Sequence, residues 1–447
     1  MERYEAYKDS GVEWIGEIPV GWKTARMGTS CYLKGRIGWQ GLKAEEFIDD
    51  GPYLVTGTDF CNGRVNWKTC YHISQNRFEE APEIHVRNGD LLITKDGTIG
   101  KLALICDAPN AVSLNSHLLL MRPLDDQIDS RFLFWVLSGE EFSHYTDISQ
   151  SGTIMASLSQ DKIARFIYAL PSVVEQPAVA DYLDVKTAEI DGLVADCERE
   201  VELLQEYRKT VISEAVTKGL DPNAPMKDSG VEWIGEIPEG WAATSLQRIG
   251  VTIEQGWSPS PARDWVDGCW GVLSLSAIKN GHFLPNEVKP VSIEEKIPLG
   301  LKLQNGDLLV TRSNTRELVG DACLVNHVDD RTVFSDLIYR LTLSASTIDS
   351  EFALYALLSV STRVQFAANA KGSSGTMPKI NHRIIKQLRI CLPPLIDQRA
   401  IVAYLDAKTA EIDSLIDSKR QMIEKLREYR KSLISEAVTG KFKVPGV

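Results

Sequence analysis

Two acid–lysine pairs have the spacing found in nucleases, and they are the most suggestive catalytic residues of this sequence. Asp184 and Lys186 form one pair, and Asp406 and Lys408 form the other. Each pair lies inside a segment with helical periodicity, where residues two positions apart point to different faces of the helix. We therefore interpret both pairs as parts of a solvated helix surface and not as an active site.

Motifs for phosphate, metal and methyl-transfer chemistry are missing from the sequence. Gly97–Lys101 reads GTIGK, which is too short for a phosphate-binding loop and has no Ser or Thr after the lysine. No HExxH or GxSxG element occurs, and no cluster of His and Cys suggests a metal site. The Asn/Asp-Pro-Pro-aromatic element typical of adenine methyltransferases is also missing. We expect a chain that is not an enzyme and that holds no metal and no cofactor of its own.

Polar and basic side chains do cluster in loops of two β-rich segments. Arg and Lys can contact guanine or phosphate, and Asn and Gln can contact adenine. For any single residue a merely polar surface remains the better interpretation, but clusters follow the same GDLL strand in both segments. The candidate contacts of the first segment are Lys34, Arg36, Trp39, Gln40, Lys43, Lys95, Asp96, Thr98 and Lys101. Those of the second segment are Gln255, Trp257, Ser258, Arg263, Arg312, Ser313, Asn314, Arg316, Lys371, Lys379, Asn381 and His382.

The loops are positioned by a chain that repeats itself. KDSGVEWIGEIP stands at both Lys8–Pro19 and Lys227–Pro238, and YLDVKTAEID at Tyr182–Asp191 returns as YLDAKTAEID at Tyr404–Asp413. The order is head, middle, tail, and then the same again. This period is too long for a solenoid. It indicates two whole modules with pseudo-two-fold symmetry, which duplex DNA accommodates well.

The two tails are predicted to be long helices. Apolar residues recur every seven positions, as in a coiled coil. The helix-pairing residues are Leu183, Ile190, Cys197, Leu204 and Val211 in the first tail, and Leu405, Ile412, Leu426 and Leu433 in the second. Glycines near the ends, Gly219 and Gly440, are typical of helix C-termini. We expect the tails to pair antiparallel, although each stripe could instead pack on its own domain.

Each middle contains short β-rich runs between turn signals, with intervening helical segments, so the fold class is predicted to be α+β. We predict globular domains at residues 1–172 and 221–393 and long helices at residues 173–220 and 394–440. The head tryptophans Trp14, Trp22, Trp233 and Trp241 recur in both repeats, and we assign them to the scaffold core. The middles share a frame but differ in their loops, as expected if each recognises something different.

Charge and composition restrict the possible partners. The formal net charge is −12, which argues against unaided DNA binding, because phosphate neutralisation supplies much of the affinity. A basic partner is therefore expected to help. The eight cysteines form no CxxC pair and are predicted to be free thiols. Without a membrane span or a signal peptide, the chain is expected in the cytoplasm.

Four motifs together resemble the specificity subunit of Type I restriction–modification enzymes. They are the SGVEWIGEIPxGW head, the LP or LPP exit from each middle, YLDxKTAEID, and the LLQEYRKTVISEAV-type tail. The resemblance implies two target recognition domains, each of which reads half of a bipartite, asymmetric site in double-stranded DNA. It also implies spacer helices that dock two methylation subunits, which carry S-adenosylmethionine and methylate adenine N6. Two restriction subunits would add ATP- and Mg-dependent cleavage.

Two other interpretations remain open from the sequence. The chain could serve a related enzyme in which one partner both methylates and cleaves. It could also be a coiled-coil scaffold whose two domains bind proteins and not DNA. The resemblance does not fix the residues that read the DNA, so the candidate contacts still depend on their position in loops.

Overall fold

The computed structural model describes residues 2–36, 41–149, 158–260, 262–370 and 377–447. The chain forms two compact units, one of residues 1–197 and 421–447 and the other of residues 198–420. Each unit therefore contains one head, one middle and a part of both tails. The domain boundaries given above remain predictions.

The first unit contains thirteen of the described strands. They are β1 (Tyr7–Asp9), β2 (Glu17–Pro19), β3 (Lys23–Arg26), β4 (Cys31–Gly35), β5 (Ile48–Val55), β6 (Phe60–Cys61), β7 (Arg64–Val65), β8 (Tyr71–His72), β9 (Leu91–Thr94), β10 (Leu102–Leu104), β11 (Val112–Leu114), β12 (Leu118–Pro123) and β13 (Ile167–Leu170). A four-stranded antiparallel sheet has the order β10-β9-β12-β4, and a three-stranded sheet has the order β11-β5-β8. Shorter pairs join β1 to β2, β3 to β13 and β6 to β7.

The helices of the first unit follow and separate these strands. They are α1 (Met27–Ser30), α2 (Gln75–Glu79), α3 (Ser130–Ser138), α4 (Glu140–Ser149) and α5 (Gln160–Arg165), followed by the long α6 (Glu175–Lys218), which continues into the second unit. Asp129 starts α3 because its carboxylate accepts the amides of Arg131 and Phe132. Ser159 caps α5 in the same way through the amide of Lys162.

The second unit has the same arrangement of strands. They are β14 (Met226–Asp228), β15 (Glu236–Pro238), β16 (Ala242–Ser245), β17 (Thr252–Gln255), β18 (Gly271–Leu273), β19 (Ile278–Lys279), β20 (His282–Phe283), β21 (Val288–Pro290), β22 (Leu308–Thr311), β23 (Ala322–Leu324), β24 (Thr332–Phe334), β25 (Ile338–Thr342) and β26 (Arg389–Leu392). The four-stranded sheet is β17-β25-β22-β23 and the three-stranded sheet is β21-β18-β24. Its helices are α7 (Ser350–Leu358), α8 (Val360–Asn369), α9 (His382–Gln387) and the long α10 (Leu395–Val438), which continues into the first unit.

Each four-stranded sheet is buried on both faces, which explains the unbroken apolar runs in the sequence. Along β12, Leu119 and Met121 belong to one apolar cluster, whereas Leu118 and Leu120 belong to another. Successive side chains of a strand point to opposite faces, so the sheet separates two cores. The same alternation occurs in β22 of the second unit, where Leu309 faces away from its two neighbours. The α+β class predicted from the sequence is confirmed.

The repeated GDLL element is a structural device beside this sheet. Asp90 accepts the amide of Arg87 and is 2.6 Å from the guanidinium of Arg122 on β12. In the second unit Asp307 is 3.1 Å from the guanidinium of Arg340 on β25. Both acids are held by an arginine of the neighbouring strand, and both position the strand that leads to a candidate reading loop.

The antiparallel pairing of the long helices, predicted from the heptads, is confirmed within each unit. In the first unit Asp191 of α6 is 2.9 Å from Arg430 of α10. In the second unit Arg208 of α6 is 2.9 Å from Asp413 of α10, in the reverse assignment of the same repeated residues. Along both pairs, increasing residue number on α6 corresponds to decreasing number on α10.

The predicted helix-pairing residues are largely covered. Those that are buried are Leu183, Ile190, Cys197, Val211, Leu405, Ile412 and Leu433, whereas Leu204 and Leu426 are half-buried. The sulfur of Cys197 lies 3.8 Å from that of Met422 in the first unit. Lys419 stands where the heptad repeat of the second tail would place an apolar residue. It forms an ion pair with Glu200 in the second unit. A lysine is thus accommodated in the seam because an acid of the facing helix neutralises it.

Two buried glutamines attach the helices to the middles. Gln176 of α6 donates to the carbonyls of Gln127 and Pro171, and it accepts the amide of Asp129. Gln398 of α10 makes the equivalent three bonds in the second unit. Both side chains are almost fully buried, and each satisfies backbone groups that water cannot reach. The start of each long helix is therefore fixed to its middle in the same way.

The head tryptophans divide into two pairs. Trp22 and Trp241 are buried, and each ring lies beside the glycine that ends a long helix, Gly440 and Gly219 respectively. Both glycines have positive φ, which permits this sharp helix end. The assignment of these two tryptophans to the scaffold core is confirmed.

The other two head tryptophans differ from one another. Trp14 is half-buried, with its ring 5.3 Å from that of Tyr145. Trp233 is 45% exposed, so its assignment to the core is wrong. The position equivalent to Tyr145 holds Gln365, so Trp233 lacks this aromatic neighbour. The equivalent tryptophan of the repeated head is therefore half-buried in the first unit and exposed in the second.

Candidate nucleic-acid interface

Three of the loops predicted from the sequence meet at one end of the four-stranded sheet of the second unit. The amide of Arg312, directly after β22, donates to the carbonyl of Leu337 at 2.7 Å. The carbonyl of Arg312 accepts the amide of Ile380 at 2.9 Å, and Ser313 pairs with Lys379 as an isolated bridge. The segment after β22 is thus held between the turn before β25 and the segment before α9.

The loop after β17 joins this group through a glycine. The amide of Trp257 donates to Phe334, and the carbonyl of Trp257 accepts the amide of Asp336. A Cβ on Gly256 would lie only 2.1 Å from the carbonyl oxygen of Ser335. The backbones approach so closely that only glycine fits here.

A cationic and aromatic group forms the centre of this surface. The guanidinium of Arg312 lies 5.9 Å from the ring centroid of Tyr339 and donates to the carbonyl of Asp336. The ring of His382 meets Tyr339 edge-on, at 4.9 Å between centroids. Partial loss of solvent around the ring lowers the pKa of His382, and the nearby positive charges of Lys386 and Arg312 lower it further. His382 is therefore biased toward its neutral form.

The remaining predicted residues of the second unit differ in exposure. Gln255, Ser258, Lys379, Asn381 and His382 are exposed, and Trp257, Arg312 and Asn314 are half-buried. Ser313 is buried and would have to move to reach a ligand. Asn314 and Asn381 already use their side-chain oxygens on the amides of Thr315 and Ile384. Arg263 and Arg316 are exposed.

The first unit builds the same frame with other side chains. Lys95 follows β9 as Arg312 follows β22, and its amide donates to the carbonyl of His117 at 2.9 Å. Its carbonyl accepts the amide of Leu158, as that of Arg312 accepts Ile380. The Lys95 amine lies beside Gly35, 3.3 Å from the position a Cβ would take, and Lys34 precedes this glycine at the end of β4. Because successive side chains of a strand point to opposite faces, Lys34 points away from the face on which the Lys95 amine lies.

Sequence reasoning missed residues of the turn between β11 and β12. His117 is exposed, its ring nitrogen lies 3.4 Å from Asp96, and its amide donates to the side chain of Asn115. The counterpart in the second unit, between β24 and β25, contains Asp336. A short polar turn between two apolar strands in both repeats was the signal that could have identified these residues.

Arg36 has a different position from the one expected. It is only 3% exposed, and its guanidinium donates to the carbonyl of Leu114 at 2.9 Å and the hydroxyl of Ser113 at 2.8 Å. Burial lowers the pKa of this guanidinium. Arg36 therefore holds the end of β4 against β11, and a contact with DNA would require this residue to be uncovered.

The remaining predicted residues differ in exposure, and three of them lie outside the described residues. Lys43, Thr98 and Lys101 are exposed, and Asp96 is half-buried. The amide of Lys43 donates to the carboxylate of Glu46, which fixes the local turn. Trp39, Gln40 and Lys371 lie outside the described residues.

The acid–lysine pairs of the long helices have structural partners. Asp184 accepts the indole N–H of Trp135 at 2.9 Å, and Asp406 accepts the hydroxyl of Tyr355 at 2.7 Å. Lys186 and Lys408 form ion pairs with Glu189 and Glu411, one helical turn onward. The acids bind the middles to the helices, and the lysines lie on the helix surface. Neither pair converges on a common site.

Neither a cluster of metal-ligating residues nor a membrane-spanning helix occurs in the described part of the chain. No group of three or more His, Cys, Asp or Glu residues there could hold a metal ion. Over the same residues, none of the helices combines the length and apolar character needed to cross a membrane.

Comparison with known proteins identifies the family. A family model for the Type I restriction modification DNA specificity domain matches residues 19–201 and 289–425. These two matches cover well over half of the chain and one falls in each repeat. The chain therefore belongs to this family of DNA specificity proteins.

Individual relatives match over nearly the full length. One, from Methanocaldococcus jannaschii, carries the provisional name of type I restriction enzyme MjaX specificity subunit; it is 25% identical over 437 residues, 96% of each chain. The EcoKI specificity subunit of Escherichia coli K12 is 22% identical over 434 residues, which are 95% of this chain and 90% of that protein.

A solved structure shares the fold. The matching chain comes from work on complex assembly and conformational transition of the type I R-M system. It is 16% identical, with a TM-score of 0.69, and the match covers 94% of this chain and 98% of that one. The duplicated α+β architecture is thus shared with that solved chain.

Proposed function

We propose that this chain is the sequence-reading subunit of a type I restriction–modification complex and that each compact unit reads one half of a bipartite, asymmetric DNA site. One observation carries the proposal. Lys95 and Arg312 have the same backbone partners in equivalent frames, yet they present different side chains. An ammonium and a guanidinium make different contacts with base edges, so the two half-sites should differ in sequence.

The methylation partners are proposed to dock on the repeated helices. Tyr207 and Tyr429 occupy equivalent positions and are 48% and 50% exposed, and Leu193 and Leu415 are likewise exposed in both repeats. Equivalent exposed residues give two copies of one partner two similar surfaces. Two methylation subunits would bring S-adenosylmethionine and methylate adenine N6, and two restriction subunits would bring ATP and Mg for cleavage. The chain itself is proposed to be non-catalytic.

A methylation partner also accounts for the charge of the chain. With a net charge of −12, the chain alone would repel the phosphate backbone. Positive charge from subunits that close around the duplex would offset this repulsion. Binding to DNA is therefore proposed to require the assembled complex.

Paired substitutions test the modular reading. Cells that express the chain with its methylation partner would be mapped for N6-methyladenine across the genome, with the wild type, Lys95→Ala and Arg312→Ala compared. Each variant should relax one half-site by about 1–3 kcal/mol of discrimination, and the two variants should relax different halves.

The same experiment can overturn the proposal. If both substitutions changed the same half-site, modular reading would be wrong. If methylation showed no dependence on sequence in any variant, a protein-binding scaffold would be the better interpretation. Urea unfolding of each variant controls for loss of structure.

A further inference from the structure

The two units differ in how they fill one space between α3, α4 and the loop before β10. In the second unit, α7, α8 and β23 form this space, and each element is numbered 220 above its counterpart. The fully buried ring of Phe366 lies on the backbone of Gly320, where a Cβ would come within 2.6 Å of the ring. The guanidinium of Arg363 lies 5.7 Å from the ring centroid and donates to the carbonyl of Glu317 at 2.6 Å.

In the first unit the positions of Arg363 and Phe366 are occupied by Ser143 and Thr146. An open pocket of about 380 Å³ lies there. Its lining includes Ile99, Gly100, Leu102, Phe142, Thr146 and Asp147. Among the described residues, no atom comes within 4 Å of the Cβ position of Gly100, whereas the equivalent Gly320 is covered by an aromatic ring.

The glycine backbone that borders this space has the same conformation in both units. Gly100 has φ +85° and Gly320 has φ +77°, a left-handed conformation that favours glycine. A flat backbone surface on which a ring can lie is therefore retained in the first unit, although no ring of the described residues lies against Gly100. The volume falls within the range of about 300–1,000 Å³ that is usual for small-molecule pockets.

The lining indicates the chemistry of the ligand. Ile99, Leu102 and Phe142 provide apolar walls. The hydroxyl of Thr146 donates to the carbonyl of Ser143 at 2.7 Å, which leaves its oxygen able to accept. Asp147 adds a carboxylate where the second unit has Ala367. A planar ring that carries N–H donors can lie on Gly100 and donate to the oxygens of Thr146 and Asp147.

We propose that this pocket of the first unit binds a nucleobase, with the ring against Gly100 and an exocyclic amino group toward Asp147. The base could come from a free nucleoside or from DNA held by the chain. The second source is reasonable because Ile99 and Gly100 belong to the same loop as Lys95, Thr98 and Lys101. The pocket goes beyond the proposed function, since binding of a free nucleoside does not depend on sequence reading.

Cytidine, adenosine and thymidine would be titrated into the full chain and followed by ligand-observed NMR. Cytidine and adenosine should bind, and thymidine, which has no exocyclic amino group, should bind more weakly. Thr146→Phe supplies the ring that the second unit already has, and it should weaken binding by about tenfold or more. Thr146→Ser keeps the hydroxyl that can accept from the ring and should retain binding. Asp147→Asn keeps the shape and should reduce the preference for cytidine and adenosine over thymidine.

A second measurement identifies the source of the base. Oligonucleotides with 2-aminopurine at each position of the methylated site would be bound to the complete complex with its methylation partner. A fluorescence increase at one position with the wild type but not with Thr146→Phe identifies a base of DNA. No such position, together with nucleoside binding, identifies a free nucleoside.

The proposal would be overturned if wild type and Thr146→Phe bound nucleosides equally, or if neither nucleosides nor 2-aminopurine DNA responded to the pocket. If methylation showed no dependence on sequence while nucleosides still bound the pocket, the result would count against the proposed function and not against the pocket.

Discussion

The two compact units are built from the same elements in the same order, yet they differ in what fills the frame. The second unit covers Gly320 with Phe366 and holds Arg363 above the ring, whereas the first leaves an open pocket above Gly100. The second unit brings two backbones together at Gly256, and the first places the buried Arg36 at the equivalent position. Repeated residues thus preserve the scaffold, and unrepeated residues determine packing and recognition around it.

The largest expected effect concerns the space that Phe366 fills in the second unit and that is open in the first. Phe366→Ala should destabilise the second unit by about 3–5 kcal/mol, because it removes a fully buried ring and leaves a cavity. Thr146→Ala at the equivalent position should cost less than about 1 kcal/mol, since the space is already open. Urea unfolding of both variants measures the difference. Equal losses would show that the two spaces are packed alike.

The close backbone approach in the second unit should give the next largest effect. Gly256→Ala would place a methyl group 2.1 Å from a carbonyl oxygen, so the backbone must shift. We expect a loss of about 2–3 kcal/mol in the free energy of unfolding. Gly300→Ala is the control, because nothing lies within 4 Å of its Cβ position. An equally small loss in both variants would contradict the close approach.

The reciprocal ion pairs of the long helices should differ by a smaller amount. Arg208 and Asp413 have side chains that are 13% and 28% exposed, and His282 lies 3.3 Å from the same acid. Arg430 and Asp191 are 32% and 57% exposed. Double-mutant cycles should give a coupling near 1 kcal/mol for the first pair and a few tenths for the second. Equal couplings would mean that exposure does not separate the pairs.

The smallest effect is the pH dependence contributed by His382. Its pKa is lowered in the folded chain, so the unfolded chain binds the proton more readily. The stability of the wild type should therefore fall slightly more than that of His382→Asn as the pH decreases through the ordinary pKa of histidine, about 6.5. Thermal unfolding at pH 8 and pH 5 would measure this difference. A larger loss in the variant would reverse the sign.

The sequence predicted the scaffold well because the scaffold repeats. Heptads identified the helix pairing, and the GDLL strands identified the sheet on which the candidate loops lie. Trp233 was misplaced because a repeated residue is covered only if its neighbours also repeat, and Tyr145 is replaced by Gln365. Arg36 was placed in a contact loop because burial of a charged side chain depends on long-range partners, here Ser113 and Leu114, that no local pattern reveals.

The candidate site was only partly predictable for the same reason. The loops after β9 and β22 were identified from their position after a repeated strand. The turn containing His117 was not, because it joins the site through backbone bonds to Lys95 that depend on the register of the sheet. The open pocket beside Gly100 could be recognised only by comparing the two units in three dimensions.

The crossed ion pairs have a consequence for the origin of the chain. Arg208 of the first repeat meets Asp413 of the second, and Arg430 of the second meets Asp191 of the first. A tail therefore carries both the acid and the base of its own bond, so its sequence is self-complementary. Such a tail has no need of a different partner, and two identical half-length chains could make the same contacts as a homodimer. The present chain can be understood as a fused dimer, whose two middles became free to diverge once one gene encoded both.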